Sequence, residues 1–131
     1  MWTIEYFERE DGTQPAEVFE DALDGSFDRD ERRIAGKLIR VADELAQKGH
    51  QTGGGYVESC HEAPGIWQMK ADAGGKRGRE FFVFDDDRVV LLHGTVKGGR
   101  QATPPRAFQD ALKCFEEYRR TGRVSPEEAE E

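Results

Sequence analysis

His93, Lys70, Arg79 and Lys97 fall between Gly65 and Gly99, at positions where the alternation of a β-strand turns them toward one side of a sheet. A histidine and three cations on one face could carry out metal-free phosphodiester chemistry. Breaking RNA without a metal requires a base for the 2′-hydroxyl proton, an acid for the 5′-oxygen leaving group and fixed positive charge for the phosphorane-like transition state. Each residue also has a plainer reading. A lone strand histidine is more often structural, Lys70 and Lys97 suit a solvated face, and Arg79 could pair with the aspartates at 85–87. Their convergence singles them out. Lys76 and Arg77, and Arg100 beyond the last strand, are further candidates for contact with an RNA backbone.

The elements that must hold these residues are three short strands within GIWQMKADAGGKRGREFFVFDDDRVVLLHGTVKGG. Parity gives one apolar set, Trp67, Met69, Ala71, Phe82, Phe84, Val90, Leu92 and Val96, which is expected to lie against helices. The other set holds Gln68, Lys70, Arg79, His93, Thr95 and Lys97, mixed with Ile66, Phe81, Val83, Val89 and Leu91, and is expected to form an open face. The stretch is also a basic island. Residues 1–65 hold 7 Lys+Arg against 15 Asp+Glu, residues 66–106 hold 8 against 5, and residues 107–131 hold 4 against 7, so the local charges are −8, +3 and −3. The net charge of −8 argues against indiscriminate coating of nucleic acid and leaves room for a local anion site.

Other candidates are weaker. GGKRG at 74–78 lacks the GxxxxGK[ST] spacing of a phosphate-binding loop and reads as a hairpin connection. Cys60, His61 and Glu62 are adjacent, so a strand would point neighbours to opposite faces, and Asp85–Asp87 reads as a polar turn. No metal or cofactor is expected. Cys60 and Cys114 form neither a CxxC motif nor a disulfide framework and should both be reduced.

Around the island, Trp2–Phe7 alternates as a strand, and Pro15 opens a short helix with Val18, Phe19, Ala22 and Leu23 as its apolar stripe. Asp28 with Glu31 reads as a capping box before a longer helix carrying Ile34, Leu38, Val41, Ala42 and Leu45, stopped at Gly49. Tyr56–Cys60 is a weak strand. Thr103 with Pro104 starts a last helix with Phe108, Ala111, Leu112, Phe115 and Tyr118 inward. The expected fold is α+β: strand, helix, helix, an antiparallel sheet of about four strands, and a C-terminal helix. One domain over residues 1–122 and a disordered acidic tail over 123–131 are expected. With no long apolar run or signal-like start, the chain reads as cytoplasmic, with no membrane partner.

YFEREDGTQPAEVFEDAL, IWQMK, REFFVFDDDRVVLLHGTVK and ATPPRAFQDALKCFEEYRR together resemble the phage-derived Gp49-like, HigB-type branch of the RelE/ParE toxin superfamily, across about residues 4–121. The most specific part is FDDDRVVLLHGTVK followed by the Thr-Pro helix start. The resemblance implies a type II toxin of RelE-like fold that cleaves mRNA on the ribosome and is bound by a small helix-turn-helix antitoxin. It matches Arg79, His93 and Lys97 to the family's arginine, histidine and first lysine. Lys70 stands in place of an arginine, Phe82 of a tyrosine and Gly98 of a second lysine; lysine keeps the charge of arginine without its bidentate fork. Two other readings remain on the same fold. One is a non-catalytic inhibitor of a host protein such as gyrase, docking through the acidic helical half from Glu17 to Glu44; the other is an inactive phage remnant.

Overall fold

Pro15 occupies the first turn of α1 (Pro15–Asp24), where its missing N–H breaks no hydrogen bond. Asp28 caps α2 (Arg29–Lys48) by accepting from the Asp30 N–H at 2.8 Å. The reciprocal half of the expected capping box is replaced: the Asp28 N–H donates to Ser26 Oγ, and Glu31 reaches Lys76 instead. The expected stripe of α2 is buried throughout, with Ala35 added to Ile34, Leu38, Val41, Ala42 and Leu45. On α1 the inward residues are Ala16, Phe19 and Leu23, while Val18 and Ala22 are exposed. In this computed structural model, which describes residues 1–126, the strands are β1 (Thr3–Phe7), β2 (Val57–Ser59), β3 (Trp67–Ala73), β4 (Lys76–Asp85), β5 (Arg88–Gly98) and β6 (Val124–Pro126), with α3 spanning Pro105–Thr121.

The chain is α+β, as the pattern of elements predicts, but its sheet has six strands in the order β2-β3-β4-β5-β1-β6. It is mixed rather than wholly antiparallel, because β1 lies parallel to β5. Local alternation identifies β1 as a strand but says nothing of its partner, which is 85 positions away in the Thr3–Arg88 pair. β6 pairs with β1 inside the segment expected to be disordered; residues 127–131 of that segment lie outside the described residues.

Gly74 and Gly75, at φ 56° and 82°, supply the two left-handed positions of a tight β3–β4 hairpin, closing on the Ala73–Lys76 pair. Asp85–Asp87 forms the β4–β5 turn, with Asp86 left-handed at φ 52°. The sheet is covered on both sides. On one, α1 and α2 pack on Met69, Ala71, Phe82, Val89 and Leu91. On the other, α3 packs on Ile66, Phe81, Val83, Val90 and Leu92. The expected parity therefore fails in the first half of β5. Phe82 pairs with Leu91 but Phe81 with His93, so Leu92 is an extra residue, and this bulge flips the side-chain alternation. The expected open face is open only beyond the reach of α3.

Candidate functional site

Unbroken register places the chemistry-bearing residues on one face, and the β5 bulge beyond them sets Val90 and Leu92 on that same face. Direct cross-strand partners share a side of the sheet, and the ladder pairs Lys70 with Arg79, Arg79 with Thr95, Arg77 with Lys97 and Phe81 with His93. Lys70, Arg79, His93 and Lys97 accordingly lie on the α3 side, with Arg79 central. His93 and Lys97 are both diagonal neighbours of Arg79, each about 7–8 Å away at the backbone, on opposite sides of it.

Arg79 is buried, 5% exposed, and is held by Asp72 Oδ1 at 2.8 Å and the Gly78 carbonyl at 2.7 Å. It does not reach the aspartates at 85–87, which are about 20 Å away along the same strand. Asp85 instead accepts from Tyr118 Oη at 2.5 Å and Arg88 Nη2 at 3.1 Å, fastening that turn to α3. Burial and the Asp85 contact push the Tyr118 phenol up to about 12. Lys70 Nζ lies 2.9 Å from Glu58 Oε1, which also accepts from Gln68 Nε2 at 2.8 Å; the Lys70 contact holds the Glu58 carboxyl below its usual range.

Lys97 differs from these two cations. Among the described residues it has no carboxylate partner within ion-pair distance, and burial, then the charges of Arg79 and Arg77, pull its pKa down. His93 is half-buried beneath α3, its Nε2 3.9 Å from Asp110 Oδ2 and its Nδ1 shut away from solvent. Burial lowers its pKa, Asp110 opposes that shift, and Arg9 adds to it. The imidazole, lowered from 6.5, is therefore neutral at pH 7, while Lys97 gives up its proton more readily than an ordinary lysine.

The remaining expected RNA contacts separate. Lys76 is held by Asp28 and by Glu31, which raise its pKa and tie the β3–β4 hairpin to the start of α2. Arg77 and Arg100 are exposed. Cys60 and Cys114 are free and buried, and burial pushes the Cys60 thiol up to about 12, which disfavours the reactive thiolate. Among the described residues no cluster of three His, Cys, Asp or Glu side chains is placed to hold a metal ion, and no helix is long and apolar enough to cross a membrane.

Sequence reasoning missed the acidic partners Glu58, Asp72 and Asp110. Asp72 left a signal, since it shares parity with Lys70 two positions earlier. Glu58 and Asp110 come from other elements and become visible only once β2 and α3 are docked.

A family model described as phage-derived protein Gp49-like matches residues 25–116, from the loop before α2 into α3, and so includes Lys70, Arg79, His93 and Lys97. That family is linked to RelE-like toxins. No curated protein matches the chain.

Proposed function

The chain belongs to the phage-derived Gp49-like family, and on that premise we propose that it is the toxin of a type II toxin–antitoxin pair, of the HigB-type branch, and a metal-independent endoribonuclease that cleaves mRNA on the ribosome. The observation that carries this reading is Arg79 flanked diagonally by His93 and Lys97 on one face. In-line cleavage needs a base and an acid on opposite sides of the phosphorus. Neutral His93 takes the 2′-hydroxyl proton, and Asp110 stabilises the imidazolium that forms. Charged Lys97 gives a proton to the departing 5′-oxygen. Arg79 lies between them, with Lys70 behind it, and their charge offsets that of the transition state. Such an activity calls for a neutralising partner, a small helix-turn-helix antitoxin in this reading.

The test is tightly controlled expression followed by mapping of 5′ ends on cellular mRNA. New message ends with growth arrest are expected. Unchanged growth and unchanged ends, with the protein folded, would contradict the proposal. One observation favours a non-catalytic binder: Lys70 and Arg79 each already hold a carboxylate. Capture of a single host protein, without ribosomes or mRNA, would support that alternative.

A further inference from the structure

α2 carries a second basic surface on the other side of the molecule from His93. Arg29, Arg32, Arg33, Lys37 and Arg40 project along one flank of the helix and, with Arg77 from β4, line a groove against the β3–β4 hairpin. All six are exposed. Among the described residues none of them makes an ion pair, although the segment from 1 to 65 has more than twice as many acidic as basic residues. Arg29 with Arg33, and Arg33 with Lys37, are like charges four positions apart, an arrangement that disfavours a helix standing alone.

A second observation points to a ligand. Gly36 sits mid-helix in the groove wall, and a Cβ placed there would meet nothing within 4 Å. Packing does not require this glycine, which weakens the helix. Its effect is to leave the groove bare. On the hairpin side Gly75 is likewise open, its φ of 82° being needed by the turn, whereas a Cβ at Gly74 would collide with Asp30.

The groove runs on into a second one that shares Lys37, Arg40, Arg77 and the Arg79-bound Asp72, and adds Lys70, Arg79 and one further carboxylate, Glu44. It passes the edge of β3, where β2 stops pairing at Met69. We propose that α2 and the hairpin form a phosphate-backbone track that holds RNA outside the cleavage site and leads it around the β3 edge to Arg79. The choice of RNA over an acidic protein rests on the proposed nuclease reading and on the prevalence of arginine, whose planar fork matches phosphate. Arg29 to Arg40 spans about 16 Å of helix, enough for several successive phosphates.

The experiment uses the full chain and a labelled, cleavage-resistant 2′-O-methyl RNA 20-mer, with affinity measured by anisotropy over a salt series. The variant Arg29→Ala/Arg33→Ala/Arg40→Ala should bind at least about tenfold more weakly, with the slope of log K against log salt reduced by about 2, at roughly 0.7 per lost single-strand phosphate contact. Its thermal midpoint should match or exceed that of the wild type, since like charges have been removed. Unchanged affinity and slope in the folded variant would overturn the track. So would a polyglutamate peptide that binds the wild type as tightly as the RNA and is lost in the variant, which would assign the groove to an acidic protein. Message-end mapping separates the two proposals: absent cleavage with intact, arginine-dependent RNA binding removes the nuclease and leaves the track, and the converse removes only the track.

Discussion

At the scale of residues, His93 and Lys97 make opposite demands on pH. The base must be neutral and the acid charged, so the cleavage rate should trace a bell whose rising limb lies below 6.5 and whose falling limb lies below 10.5, the usual values from which both groups are lowered. Replacing His93 with Gln should remove the rising limb, and Lys97→Ala the falling one, each with a loss of about 10²–10⁴-fold. A flat profile, or limbs that survive in both variants, would assign the pH dependence to other groups. Stability has its own sign. His93 is harder to protonate folded than unfolded, so the unfolded chain binds more protons between the lowered pKa and 6.5, and stability should rise with pH through that window. Urea unfolding of wild type and His93→Gln on either side of the window measures the difference, which should vanish in the variant. That Lys70, Arg79, His93 and Lys97 share a face was legible because strand parity is local. Their carboxylate partners were not, since an ion pair between elements depends on docking that no local pattern encodes.

At the scale of elements, the β5 bulge decides what the sheet offers. Without Leu92 as the extra residue, the side chains on one side of that point would switch faces, and His93 could not share the α3 side with Val90. A run such as VVLLHG gives no sign of a bulge because every residue before the histidine is apolar and both faces are buried there. Helical periodicity was more readable, and the α2 stripe followed it fully. Leu38→Ala should therefore cost about 2–5 kcal/mol in denaturant unfolding. Two glycines should respond in opposite directions. A Cβ at Gly94 would lie 2.2 Å from the Phe19 ring, so Gly94→Ala should destabilise by about 1–3 kcal/mol through overpacking. Gly36→Ala should stabilise by up to about 1 kcal/mol. Equal effects of the same sign would contradict the packing of α1 on β5 or the openness of the α2 groove.

At the scale of the whole molecule, summed charge hides how charge is arranged. The −8 of residues 1–65 suggested an acidic helical half, yet α2 gathers its arginines and Lys37 along one flank, because a helix sorts residues by angle and a sum does not. The +3 island proved partly neutralised in place, with Lys70, Lys76 and Arg79 all held by carboxylates and Lys97 left without one. A net negative body with two local basic tracts should repel nucleic acid at long range and bind it only where those tracts reach, so association should depend steeply on salt. The most direct measurement of the central claim is primer extension on a defined mRNA carried by translating ribosomes, comparing wild type with Lys97→Ala at equal, folded concentration. Metal-independent cleavage by the wild type, still present with chelator and reduced at least about a hundredfold in the variant, is the predicted result. No cleavage by the wild type, or equal cleavage by both proteins, would contradict it.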